Sequence, residues 1–239
     1  MSGEHKPALD TAEFDKFAEE YLADHAANIA ISGETPDYFA RYKIDEVRRR
    51  WDRLGLAEPA SILDFGAGIG NSWPWLARAF PTARITGLDV SERSLAIARQ
   101  RFPGMAEAQA YDGGEMPFAP ASFDLVFSAC VFHHIPADQH VRLFGQLRRA
   151  LKPGGRMAIF EHNPVNPVTR YIVATCPFDE NAVLIPAGAL KRREVEAGFR
   201  QVDVRYTGFF PGPLAALRPL ERLMTALPVG AQYYTFARG

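Results

Sequence analysis

The segment Ala60-Ser-Ile-Leu-Asp-Phe-Gly-Ala-Gly-Ile-Gly70 constrains this chain more than any other stretch. A short apolar run that ends in alternating glycines reads as a buried strand turning sharply toward a helix, with bare backbone left open to a ligand. A helix is predicted from Ser72 to Phe80, with Pro74 tolerated in its first turn. The alternation then continues. Arg84 to Val90 reads as a strand, Ser91 caps a helix through Arg101, and a weaker strand covers Glu107 to Tyr111. A clear strand follows at Phe123 to Ala129, then a helix at Asp138 to Leu151, a tight turn at Lys152-Pro-Gly-Gly155 and a fifth strand at Arg156 to Glu161. Such alternation predicts a parallel sheet with helices on both faces, and ligands in such sheets sit outside the carboxyl ends of the strands.

The flanks differ. Thr11 to Leu54 is helical and amphipathic, broken at Ser32-Gly33-Glu34-Thr35-Pro36, and serves either as a pair of helices packed on the domain or as a lid over a ligand. Residues 163–186 hold Pro164, Pro167, Pro177 and Pro186 and read as an irregular excursion. A helix from Gly188 to Ala197, ended by Gly198, precedes two strand-like runs, Gln201 to Phe210 and Ala231 to Arg238, with a helical stretch at Leu214 to Leu227 between them. The expected division is a helical lid at 1–58 and a main domain at 59–239 whose excursion at 163–186 caps the substrate.

Charge and composition narrow the partners. Lys plus Arg is 27 against 28 for Asp plus Glu, so no global positive field exists to hold a nucleic acid. Cys130 and Cys176 form no CxxC pair, which argues against a disulfide scaffold or a cysteine zinc site. The first residues are polar, and no apolar run approaches the roughly 20 residues of a membrane span, so a cytoplasmic address is expected.

Asp89 ends the second strand, 19 positions after Gly70 (89 − 70), where a carboxylate can accept both hydroxyls of a ribose. A nicotinamide site shares that feature but requires Gly-x-Gly-x-x-Gly; counted from Gly66, the sixth position here is Asn71. Asp64 stands immediately before the loop, where an acid repels a pyrophosphate and attracts a cationic amino-acid tail. This favours S-adenosylmethionine over NAD.

With LDFGAGIG (63–70), GLDVS (87–91), YDGGEMPF (111–118), FDLVFSACVFHHI (123–135) and LKPGGRM (151–157) in this order, the chain resembles class I S-adenosylmethionine-dependent methyltransferases from about Ile62 to Phe160. Its PF and HHI elements are similar to the small-molecule branch that includes ubiquinone and menaquinone biosynthesis methyltransferases. The resemblance implies an α/β, Rossmann-like, seven-stranded, mostly parallel sheet with the last strand antiparallel. It also implies methyl transfer from S-adenosylmethionine to a small organic acceptor. By motif, Asp64, Gly66, Gly68 and Gly70 would surround the methionine moiety, Asp89 the ribose and Val90 the adenine. Asp112 would meet the adenine amino group with Gly113 beside it, and Ser128 would line the methionine end. Tyr21 and Tyr38 are assigned to the lid, Tyr21 against the cofactor's carboxylate.

The sulfonium is already activated, so positioning and exclusion of water supply most of the rate, and a base is needed only for a protonated nucleophile. His133, which matches a frequent family histidine, and His134, Glu161 and His162 stand at strand ends as candidates; His133, His162 and Glu161 are the catalytic expectation. Because several bases cluster there, oxygen is the favoured acceptor atom. Adjacent His133 and His134 read as poor chelating geometry, so no metal is predicted. Phe209, Phe210 and Pro211 beside Arg218 and Arg222 suit a partly apolar acceptor bearing a carboxylate, phosphate or polar ring, with core packing and solvated arginines as the competing reading. An NAD-linked oxidoreductase lacks its third glycine and a Tyr-x-x-x-Lys pair, and a non-catalytic S-adenosylmethionine-binding regulatory module would bind without turnover. A nucleic-acid enzyme would carry an Asn-Pro-Pro-Tyr type motif where Cys130-Val-Phe-His133 stands.

Overall fold

A computed structural model describes residues 33–239; Tyr21 and most of the expected lid lie outside the described residues. Helix α1 (Pro36–Arg53) starts where Thr35 accepts a hydrogen bond from the Tyr38 N–H at 3.2 Å, and Pro36 takes a first-turn position that needs no donor. Strand β1 (Ser61–Phe65) leads into α2 (Trp73–Ala79), and β2 (Arg84–Asp89) into α3 (Glu92–Arg101), which Ser91 caps. β3 (Glu107–Ala110), β4 (Phe123–Ala129), α4 (His140–Ala150) and β5 (Leu151–His162) complete the alternating run. α5 (Pro167–Thr175), α6 (Ala187–Glu196), β6 (Arg200–Thr207), α7 (Glu221–Met224) and β7 (Gln232–Arg238) follow.

The strands form one seven-stranded sheet in the order β3-β2-β1-β4-β5-β7-β6. Strands β1 to β5 run parallel, and β7 inserts between β5 and β6, antiparallel to both. The expected Rossmann-like architecture is therefore present. Successive side chains of a strand point to opposite faces. Leu63, Phe65 and Val126 accordingly meet Leu143 and Leu147 of α4 and Leu190 of α6 on one face. Ile62, Leu125 and Phe127 meet Val47 and Trp51 of α1, Trp73 of α2 and Leu95 of α3 on the other. Each such side chain contributes about 1.5–3 kcal/mol on burial. Strand order reverses between β1 and β4, which opens a crevice at their carboxyl ends.

Three local expectations are corrected. Lys152-Pro-Gly-Gly155 lies within β5 as a bulge: the pairing steps from Phe123↔Leu151 to Leu125↔Arg156. The excursion at 163–186 contains α5, because Asn166 accepts from the Thr169 N–H at 3.0 Å and Pro167 takes the first turn. The helical stretch at Leu214 to Leu227 is instead a 3-10 segment, Gly212–Leu220, and the short α7; Pro219 removes a donor inside it.

Glu194 of α6 is fully buried on β7, where the Thr235 hydroxyl donates to Oε1 at 2.5 Å while Oε2 has no hydrogen-bond partner among the described residues. Burial pushes its carboxyl up to about 8. The folded chain thus holds a proton that the unfolded chain releases near pH 4.3, so this group's stabilisation is complete below that pH and is lost as pH rises to about 8. Urea unfolding between pH 5 and pH 8 is expected to show stability falling by about 1.4 kcal/mol per pH unit from this source. Glu194→Gln should remove this share of the slope and leave that of the buried Asp64 below about pH 7; an unchanged slope would assign it elsewhere.

Candidate active site

A cavity of about 670 Å³ opens at the carboxyl ends of the strands. Gly66, Gly68, Asp89, Val90 and Tyr111, which follow or end β1, β2 and β3, form one wall. Cys130, Val131, His133 and His134 after β4, with His162 at the end of β5, form the other. Tyr38, Phe39 and Lys43 of α1 close it from above, together with Phe209, Phe210 and Arg218.

The loop after β1 is fixed to the next strand, since the Gly66 and Ala67 N–H groups donate to the Leu88 carbonyl at 2.8 and 3.2 Å. Gly66 has φ +74°, and a Cβ there would lie 2.3 Å from Val131 Cγ2. Gly68 has φ +51° and faces open space, and its N–H donates to Asp89 Oδ2 at 2.7 Å. Asp89 Oδ1 accepts from the Ser91 N–H at 2.9 Å, so the carboxylate is aimed along the loop. Asp64 lies behind this wall at 2% exposure and does not line the cavity. Its Oδ2 has no hydrogen-bond partner among the described residues, and burial, reinforced by the charge of Asp89, pushes the carboxyl up to about 7. Gly70, Asp112, Gly113 and Ser128 also stand off the cavity surface. Asp112 is exposed and accepts from the Gly114 N–H at 2.8 Å, whereas Ser128 is buried within β4.

The far wall is organised by Glu161. One of its oxygens accepts the Val131 and Phe132 N–H groups at 3.2 and 2.8 Å; the other lies 2.5 Å from His133 Nδ1. His133 Nε2 stands 3.3 Å from Asp179 Oδ1. Burial alone would lower the His133 pKa, but Glu161 and Asp179 outweigh it and hold it above the ordinary histidine range. His134 is held down to about 4 by its own burial and by the neighbouring His133. Of the three catalytic expectations, His133 and His162 reach the cavity, while Glu161 sits behind His133 at 0% exposure.

Sequence reasoning passed over Lys43 and Cys130. Lys43 is 7% exposed, lines the cavity, and its ammonium lies 3.6 Å from Cys130 Sγ. The signal was a lysine four residues after Phe39 and four before Val47, in phase with a buried stripe. Cys130 adopts φ +59°, a costly conformation for a residue with a side chain, and its thiol is turned toward Lys43 and Gln232. Burial would raise the Cys130 pKa, but His162 and Lys43 draw it down to about 7. Arg218 lies over the Tyr38 ring and pairs with Glu34, while Arg222 is exposed.

A glycine loop and an acid at the switch point of a parallel sheet define a nucleoside-cofactor site of Rossmann-like type. Residues 62–155 match the family model described as a methyltransferase domain. The trans-aconitate 2-methyltransferase of Variovorax paradoxus is 31% identical over 195 residues, covering 75% of this chain and 73% of that protein. The trans-aconitate 2-methyltransferase of Methylobacterium nodulans is 36% identical over 159 residues, covering 65% of this chain but only 58% of that protein. The fold is shared with a possible histamine N-methyltransferase of Thermotoga maritima (TM-score 0.65, 19% identity, 95% of this chain and 98% of that one). It is shared also with a Haemonchus contortus phosphoethanolamine N-methyltransferase 2 solved with S-adenosyl-L-methionine (TM-score 0.60, 20% identity, 94% and 59%). The chain belongs to the S-adenosylmethionine-dependent methyltransferases. The site fits that cofactor: a Cβ at Gly68 would project into the cavity, and the orphaned Asp64 oxygen lies behind the loop.

The two loop glycines should separate by mechanism. Gly66→Ala drives a methyl into Val131, whose N–H is anchored on Glu161, and is expected to lower both the melting temperature and S-adenosylhomocysteine affinity. Gly68→Ala meets no atom of the described residues within 4 Å and costs only about 1–2 kcal/mol of left-handed strain, so it should lose affinity with a smaller loss of stability. Equal melting shifts for the two would refute the contact with Val131.

Proposed function

We propose that the chain transfers a methyl group from S-adenosylmethionine to an oxygen of a small organic acid. The observation that carries this reading is Lys43, a buried ammonium lining the same cavity as the glycine loop, with no ion-pair partner among the described residues. The relatives named trans-aconitate 2-methyltransferase support an acidic acceptor, since aconitate is a carboxylate. When bound, the cofactor supplies a methyl group on a positively charged sulfur, ready for in-line displacement. Gly66 and Gly68 would present bare backbone to its amino-acid end, Asp89 would accept the ribose hydroxyls, and Val90 would lie against the adenine. Asp64 and Gly70 support the loop from behind, with Asp112, Gly113 and Ser128 at its margins.

Lys43 would hold one carboxylate of the acceptor, and Phe39, Phe209 and Phe210 would exclude water from it. A carboxylate arrives ionised, so it needs orientation more than a base. His162 faces the acceptor, whereas Glu161 acts through His133 by holding it in place. The segment 163–186 contributes Val168 and Ile172 of α5 and Asp179, in keeping with a cap over the acceptor; Tyr38, Phe39 and Lys43 of α1 would supply the described part of the lid.

Two substitutions test the halves of the site. Asp89→Ala should weaken S-adenosylhomocysteine binding by about 1–3 kcal/mol in calorimetric titration, with NAD silent against either protein. Lys43→Met should leave that binding near its original value but raise KM for a di- or tricarboxylate by roughly 10- to 100-fold, as loss of a charge-assisted hydrogen bond requires. Retained KM, or turnover confined to neutral acceptors, would remove the organic-acid reading.

A further inference from the structure

We propose that His133 Nε2, His134 Nε2 and Asp179 Oδ1 form a binding site for a divalent first-row transition-metal ion at the acceptor end of the cavity. The expectation of poor chelation rested on two histidines adjacent in sequence with no cysteine or acid cluster near them in the chain. Here the backbone makes a 3-10 turn over Phe132–His134 and brings the two rings to a centroid separation of 4.2 Å. A second 3-10 turn, Pro177–Asp179, follows α5 and delivers the carboxylate to both. Asp179 Oδ1 stands 3.3 Å from His133 Nε2 and 3.5 Å from His134 Nε2, and one ligand atom from each of the three residues lies within 4.8 Å of the others. Two ligands on a tetrahedral ion with bonds of 2.0–2.1 Å stand about 3.3–3.4 Å apart, so a small inward movement of the rings completes the set.

The surroundings are those a ligating histidine needs. Glu161 accepts two backbone N–H groups on one oxygen and presents the other 2.5 Å from His133 Nδ1, where a carboxylate is placed to accept the Nδ1–H. That leaves His133 Nε2 to face Asp179, as in the carboxylate–histidine–metal arrangement that orients ligands in known sites. Without metal, a proton on Nε2 links the ring to Asp179; an ion would take the proton's place. Two imidazoles with one carboxylate select zinc, iron, cobalt or manganese over magnesium or calcium. The three residues line the cavity, so coordination positions remain for an anionic oxygen of the acceptor beside Lys43. That last role rests on the organic-acid reading; the binding of the ion does not.

The test uses the untagged full chain, with equilibrium dialysis against Zn²⁺ and optical titration with Co²⁺. One equivalent is expected, with the visible absorption of a nitrogen- and oxygen-ligated site. His134→Ala and Asp179→Asn should each lower the affinity at least tenfold, while Cys130→Ser leaves the spectrum unchanged. S-adenosylhomocysteine titration of the same variants reports whether they are folded. Failure to bind either ion in protein that still binds S-adenosylhomocysteine would overturn the metal site and leave the methyltransferase reading standing. Binding that survives both ligand variants, or that vanishes with Cys130→Ser, would equally overturn it. Loss of activity on dicarboxylates with metal binding intact would instead fall on the acceptor assignment.

Discussion

The carboxylate of Glu161 holds the far half of this site together. It is buried at the end of β5, and an ionised group there is tolerable only if its lone pairs are met. Two backbone N–H groups and the His133 ring meet them, and all three donors come from the segment after β4. One side chain therefore welds the loop after β4 to the neighbouring strand. The consequence travels further, because Val131, anchored by this carboxylate, presses against the position where Gly66 has no side chain. The wall that would face the cofactor and the wall that would face the acceptor thus share a steric boundary. Replacing Glu161 by an apolar residue would strand a buried imidazole and two amides at once.

The sheet explains why these groups converge. With β1 and β4 adjacent and their connections passing to opposite faces, the crossover helices leave the carboxyl ends between them open. α1 packs its apolar stripe on one face of the sheet through Val47 and Trp51, which carries Tyr38, Phe39 and Lys43 over the crevice. A lysine enters a buried stripe at a desolvation cost, so its place over an open cavity is a feature of the site rather than of the core.

The parts of this design that obey local rules were legible in the residues. Alternating apolar runs, the Ser91 cap and the glycine run placed β1 to β5 and the loop, since each depends on neighbours in sequence. The parts that depend on distant partners were not. Residues 163–186 read as irregular because Asn166 and Pro167 suit a turn and a helix start alike, and only packing decides for α5. Adjacent His133 and His134 read as poor chelating geometry because Asp179, which stands near both rings, lies 46 residues beyond His133 in sequence and is brought there by packing alone. Glu161 was recognised as a strand-end acid, yet its burial behind His133 rather than beside it depends on the register of β5 against β4, which the bulge at residues 151–156 sets.

The charges around the cavity argue for selectivity as well as attraction. Arg218 is met by Glu34, and His133 by Glu161 and Asp179, so these cations are already answered within the fold. Among the described residues Lys43 is answered by the soft sulfur of Cys130, which the left-handed backbone at that residue turns toward it. A carboxylate at position 130 would satisfy the ammonium permanently and close the site to anions. A purely apolar residue would leave the ammonium buried without any partner. The thiol, which His162 and Lys43 draw down to about 7 against its burial, lies between these limits: protonated it is a weak acceptor that an incoming carboxylate can displace, and ionised it answers the ammonium itself. On the organic-acid reading, an acceptor without a negative charge would displace the sulfur without replacing what it supplies, and the cavity would discriminate against neutral molecules of the same shape.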